Sequence, residues 1–236
     1  MIIVLPAAGK ASRVSGIPKF MLPIVDSNFQ SKPIPLINWH LSKLSKLGMK
    51  IVIPTSKTYF EMIKVITEEF NPEVIQIDSE SMPDSILQTC EHAYSDDYLV
   101  IMPDTFFSSY EFVYPLIKSR NDLTLATWKY RESQRGKFGS VEIDDLKNEV
   151  LKVVDKDPNS PLDAFWGSAK MSRDLLPHLS KHDTHLGHAF NRYLFQGKKV
   201  HNLEVEGEYF DIGTFDEYFN LITSFERADR NYVENT

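Results

Sequence analysis

Three observations predict an α/β fold with a mostly parallel, mixed central sheet and helices on both faces. The first 130 residues alternate short apolar runs with helix-spaced segments, the βαβ rhythm of a covered sheet. The opening run Ile2-Ile3-Val4-Leu5 is largely β-branched and breaks abruptly at Pro6-Ala7-Ala8-Gly9, as a buried strand does on entering a tight loop. Leu36, Ile37, His40, Leu41, Leu44 and Leu47 recur at helical spacing and stop at Gly48, a proper C-terminal punctuation.

Taken in order, strands are predicted at Ile2–Leu5, Lys50–Pro54, Glu73–Ile77, Tyr98–Met102 and Leu123–Thr127. Helices are predicted between them at Pro35–Leu47, Lys57–Phe70, Pro83–Ala93 and Tyr110–Lys118. Beyond residue 130 the pattern changes. Strands are expected at Phe138–Ile143, Val150–Val154, Ala164–Ala169 and Lys199–Val205. Helices are expected at Met171–His178, at Leu186–Phe195 and after Gly213. No repeat, low-complexity tract or long linker interrupts the chain, so residues 1–236 are expected to form a single domain.

With 42% hydrophobic and 25% charged residues, the composition is that of an ordinary soluble globular protein. The net charge of −7 argues against nucleic acid as a partner, which needs a basic field, but leaves nucleotide binding open. One cysteine, Cys90, excludes an intrachain disulfide and reads as a small buried helix residue. The apolar opening run is too short to span a membrane and has no basic leader. No membrane association and a cytoplasmic location are therefore expected.

The loop after the first strand carries the chemistry. Small residues let successive backbone N–H groups approach phosphate oxygens, and Arg13 and Lys19 add fixed positive charge. The two-glycine Walker pattern is absent, and of the dinucleotide fingerprint only Gly9 is in place. On these residues alone, an ordinary first turn with two solvated cations remains open.

The run Ala7-Ala8-Gly9-Lys10-Ala11-Ser12-Arg13, with Pro18-Lys19 downstream, resembles the signature of the sugar-phosphate nucleotidyltransferases, among them glucose-1-phosphate thymidylyltransferases and other NDP-sugar pyrophosphorylases. Two departures stand out. Ala11 replaces a glycine, and the short spacer between Arg13 and Lys19 is closer to the cytidylyltransferase and molybdopterin-guanylyltransferase branches. The resemblance implies a Rossmann-like, GT-A-like fold. Residues 1–130 would take the nucleoside triphosphate, and 131–236 would take a sugar 1-phosphate and complete a Mg²⁺ site. It implies Arg13, Lys19 and Asp104 as catalytic residues, and Ala8, Gly9, Ala11 and Ser12 as backbone contacts to the nucleotide.

Further segments extend the resemblance. Asp104 follows Leu99–Pro103 at a strand end, where the family carries a metal-binding aspartate after glycine; on the residues alone it reads first as a turn or helix N-cap aspartate. Phe210-Asp211-Ile212-Gly213-Thr214 matches the motif whose aspartate completes the metal site, so Asp104 and Asp211 would hold Mg²⁺. Pro83, Ser85 and Gln88 fall in the base-pocket segment, with Ser85 replacing a glycine, and Glu80 stands where thymidylyltransferases read the base with glutamine. Gly139, Lys156 and Gly167 fall where the family binds the sugar phosphate; Lys156 also reads as a solvated lysine in an acidic turn.

The histidines at 178, 182, 185 and 188 lack a zinc-site pattern and read as a polar helix surface. The expected activity is transfer of a nucleotidyl group onto a sugar 1-phosphate. The alternatives are a cytidylyltransferase acting on a phospho-alcohol and a catalytically silent, nucleotide-sensing homologue. Homo-oligomerisation is left open.

Overall fold

The computed structural model describes residues 1–9, 17–25 and 32–234, with the side chains of the last helix described through Ser224. Its strands are β1 (Ile2–Val4), β2 (Pro23–Val25), β3 (Pro33–Pro35), β4 (Lys50–Thr55), β5 (Glu73–Gln76), β6 (Asp97–Ile101), β7 (Thr105–Phe107), β8 (Leu123–Lys129), β9 (Gly139–Asp144), β10 (Glu149–Asp155), β11 (Ala164–Ser172), β12 (Val200–Glu204) and β13 (Tyr209–Asp211). The helices are α1 (Leu36–Leu44), α2 (Phe60–Ile66), α3 (Met82–His92), α4 (Val113–Lys118), α5 (Gly187–Phe195) and α6 (Phe215–Glu234).

The main sheet has the order β5-β4-β1-β6-β11-β8-β12-β10-β9, and β9 pairs again with β11. Its first four strands are parallel, as the alternation predicts. From β6 onward the pairing turns antiparallel, except for β8 with β12. The expected "mostly parallel" sheet is therefore corrected to an evenly mixed one, whose last five strands close into a small barrel. Closure follows from a bulge between Trp166 and Ser168, which bends β11 so that it reaches both β8 and β9. Short local strands carry little information about their partners' direction, which is why the sequence does not disclose the change.

Helices do cover both faces. On one, Ile3 of β1 and Leu5 just after it pack with Leu36, Ile37 and Leu41 of α1, Ile63 of α2 and Leu116 of α4. On the other, Ile2 and Val4 pack with Ile86 and Cys90 of α3 and Phe190 and Tyr193 of α5. That is the period-two alternation of a strand buried on both sides.

Several elements differ from expectation. The helix predicted from Met171 is strand through Ser172, because Met171 pairs with both Tyr98 and Leu123; the chain then makes a 3-10 turn, Arg173–His178, containing Pro177. Helix α4 starts three residues later than predicted. The β2–β3 hairpin and β7 were not anticipated, being three residues long and, in β3, bounded by prolines.

Gly167 sits at the bulge with no room for a side chain. A Cβ there would lie 2.2 Å from the Tyr209 ring and 2.9 Å from Trp128. Gly167→Ala is expected to lower stability by about 1–3 kcal/mol through overpacking, read from urea unfolding; an unchanged midpoint would contradict this packing.

Candidate functional site

Strands β1 and β6 run side by side, so their carboxyl ends open onto one rim, where ligands of such sheets bind. After β1 the chain stays extended: Ala7 N–H donates to Pro54 O at 2.9 Å, and the buried Thr55 hydroxyl donates to Ala7 O at 3.2 Å. This lays Pro6–Gly9 along the floor of a cleft of about 430 Å³, also lined by Pro18, Lys19, Glu80, Ser85, Pro103 and Asp104. Ala8 and Gly9 are thus in the cleft, while Ala11, Ser12 and Arg13 lie outside the described residues.

Lys19 opens a 3-10 turn, Lys19–Met21, anchored by buried Phe20 and Leu22. Its ammonium lies 3.2 Å from Oδ2 of Asp104, with side-chain exposures of 15% for the lysine and 34% for the aspartate. A pair this shielded is screened less than a surface one. Lys19, expected to add positive charge at the phosphates, and Asp104, expected to hold the metal, therefore meet directly at the cleft.

Asp211 is brought to Asp104 by the main chain. Strands β7 and β13 pair antiparallel with Asp211 opposite Thr105, and Ile212 N–H donates to Asp104 O at 3.2 Å. Between them Thr105 Oγ1 donates to the Tyr209 hydroxyl at 3.2 Å. Burial first, and then the negative charges of Asp211 and Asp104, push the Tyr209 hydroxyl well above its ordinary pKa. Both carboxylates thus act on one buried hydroxyl. Gly213 completes the corner, since a Cβ there would lie 2.9 Å from Oδ2 of Asp211 and 2.7 Å from Glu217. Asp104 and Asp211, carried by the paired β7–β13 segment, are oxygen donors of the kind a hard cation such as Mg²⁺ takes.

The opposite wall is the start of α3. Ser81 Oγ accepts from Asp84 N–H at 3.3 Å, and Asp84 Oδ2 accepts in return from Glu80 N–H at 3.1 Å, a reciprocal cap. Pro83 lies buried in the first turn, and Ser85 is 2% exposed with its hydroxyl unpartnered among the described residues. Gln88, predicted to touch nucleotide, instead donates to Asp78 O at 2.8 Å and braces the Asp78–Ser81 segment from behind.

The residues predicted for the acceptor do not line this cleft. Gly139 opens β9 with its Cα face filled by the Trp166 indole, and Gly167 faces Tyr209, so packing alone accounts for both glycines. Lys156 follows β10, exposed and at φ +46°, its N–H donating to Phe138 O at 3.1 Å. His178 is buried, while His182 and His188 are exposed. Thr184, from the second half of the chain, does line the cleft and carries no signal in the sequence. A Lys137–Glu217 ion pair beside Gly213 was also missed; only the position of Glu217 three residues after Thr214 marked it, as a capping partner.

Beneath the Asp104 strand end lies His40 of α1, fully buried, with Nδ1 bonded to the Tyr110 hydroxyl. Burial lowers its pKa to about 3, partly offset by the main chain of Thr105 and Pro103. It is a neutral prop.

No protein-family model and no curated protein sequence matches the chain. Solved structures do share its fold. A UDP-glucose pyrophosphorylase complexed with UDP-glucose superposes with TM-score 0.77 at 19% identity, covering 96% of this chain and 98% of that one. A UTP-bound UDP-glucose pyrophosphorylase from Acinetobacter baumannii gives TM-score 0.73 at 17% identity, with 95% and 92% covered. The inositol-1-phosphate CTP transferase of T. maritima gives 0.73 at 14%, with 92% and 90% covered.

His40 predicts a pH dependence. The unfolded imidazole titrates near 6.5 and the folded one near 3, so between these values the unfolded chain binds the extra proton and acidification destabilises the fold. From pH 7 to pH 5 the wild type should lose about 2 kcal/mol on this account, and His40→Phe correspondingly less, measured by urea unfolding. Equal losses would contradict a neutral buried imidazole.

Proposed function

We propose that the protein is a nucleotidyltransferase that joins a nucleoside triphosphate to a sugar 1-phosphate and releases pyrophosphate. The observation that carries this reading is the contact between Lys19 and Asp104 at the mouth of a nucleotide-sized cleft, with Asp211 held alongside by β13. The shared fold adds weight, since proteins of this fold are complexed with UDP-glucose and UTP.

The reaction needs no covalent nucleophile. An oxygen of the acceptor phosphate attacks the α-phosphorus in line, and the bond to the pyrophosphate oxygen breaks. Catalysis is positioning and charge stabilisation. In this reading the backbone of Ala8, Gly9, Ala11 and Ser12 holds the triphosphate, Arg13 stabilises the departing pyrophosphate, and Lys19 neutralises the two phosphates as they close. Glu80, Pro83 and Ser85 border the base, with Gln88 as their brace. Gly139, Lys156 and Gly167 belong to the acceptor side. Mg²⁺ held by Asp104 and Asp211 would supply further positive charge against the α-phosphate. Residues 1–130 then serve the nucleotide and 131–236 the acceptor.

The likeness to an inositol-1-phosphate CTP transferase favours phospho-alcohols as a second acceptor class to include in the test. Pyrophosphate release is measured with each common nucleoside triphosphate against a panel of sugar 1-phosphates and alcohol phosphates, with Mg²⁺. At least one pair should turn over, and sugar 1-phosphate should be the better acceptor class. Lys19→Ala should lower kcat roughly 10²–10³-fold with little change in thermal stability. No release with any pair, in folded protein, would contradict the reading and leave a nucleotide-sensing homologue.

A further inference from the structure

The wall of the cleft at the start of α3 carries two polar groups that the fold does not use. Glu80 lines the cleft, is exposed, and has no side-chain hydrogen bond or ion pair among the described residues. Its backbone, by contrast, is fixed by the bond from its N–H to Asp84, and Gln88 holds the preceding segment through Asp78. Ser85 is the second. It lines the same cleft at 2% exposure, and its Oγ has no partner among the described residues, although a buried hydroxyl ordinarily finds one. Helical serines commonly bond back to the carbonyl one turn earlier; here Ser81 O instead accepts only the Ser85 main-chain N–H, at 2.9 Å.

We infer that Glu80 and Ser85 select guanine as the base of the nucleotide. The inference rests on the reading of this cleft as a nucleotide site. A carboxylate accepts hydrogen bonds and donates none, through two oxygens side by side. Among the common bases only guanine presents two adjacent donors on its pairing edge, N1–H and the N2 amino group. Uracil and thymine offer one N–H between two carbonyl oxygens, which a carboxylate would repel. Cytosine and adenine each place an acceptor ring nitrogen beside their amino group. Guanine also carries the O6 carbonyl next to N1, and the Ser85 hydroxyl is a donor that can serve it. A serine here thus offers what a glycine cannot, and a glutamate here rejects the edges that a glutamine would accept.

The test is calorimetric titration of the full chain with GTP, ATP, CTP, UTP and dTTP, each with Mg²⁺. GTP is expected to bind at least tenfold more tightly than any other. Glu80→Gln, which exchanges one acceptor for a donor, should weaken GTP tenfold or more and bring UTP or dTTP level with it or ahead. Ser85→Ala should weaken GTP roughly three- to tenfold and leave the others unchanged, with an unaltered melting temperature. Preference of the wild type for any other base overturns the guanine assignment while leaving the transferase reading intact. A GTP preference that survives Glu80→Gln overturns the role of Glu80. Binding of none of the five overturns both this inference and the nucleotide reading beneath it.

Discussion

The antiparallel pairing of β7 with β13 is the constraint on which the site depends. It joins residues about a hundred positions apart, and it is short: Thr105–Phe107 against Tyr209–Asp211. A three-residue ladder is weak in isolation, so its register must come from packing. Tyr209 supplies that packing. Its ring lies 5.0–5.5 Å from those of Phe165, Trp128, Phe138 and Phe107, and its carbonyl accepts from Arg131 at 3.0 Å and Gln134 at 2.8 Å. Side chains alternate along a strand, so fixing Tyr209 inward fixes Asp211 on the same face two residues later. The glycine at 167 exists to admit that ring.

The same arrangement sets the electrostatics. Two carboxylates that both bear on the buried Tyr209 hydroxyl repel each other unless a cation intervenes, and Lys19 meets the Asp104 carboxylate at 3.2 Å. In a chain of net charge −7, a cleft that takes a triphosphate, as we propose, has to concentrate its positive charge locally. His40 beneath the strand end does not contribute any, because burial keeps it neutral. For the proposed triphosphate, backbone N–H groups, Lys19 and a cation on the two aspartates would supply that charge.

Much of this was legible in the sequence, and the rest was not for identifiable reasons. The parallel half of the sheet could be read because β1, β4, β5 and β6 are continuous apolar runs separated by helices with clear stops, such as Gly48 at φ +66°. The barrel could not, since its closure depends on a bulge and on which of several short strands pair. Lys19, Glu80, Ser85 and Asp104, singled out by motif spacing, do line one cleft, because such spacing survives when neighbouring residues change. Gln88 was misplaced from contact to brace, as a helix position fixes a face but not the group opposite it. Thr184 arrives from a loop whose position is set only by tertiary packing. Gly139 and Gly167 show the limit of motif logic, because a glycine required by an aromatic ring and one required by a sugar look alike in sequence.

The central claim is that Asp104 and Asp211 act as one centre built by the β7–β13 ladder. Its most direct test is electron paramagnetic resonance of Mn²⁺ added with a nucleoside triphosphate to the wild type and to the separate variants Asp104→Asn and Asp211→Asn. If the two carboxylates share one ion, the protein-bound Mn²⁺ signal should weaken to a similar degree, tenfold or more in affinity, in each variant. Loss in Asp104→Asn with wild-type binding in Asp211→Asn would contradict the account, leaving the ladder a structural feature without a part in the site.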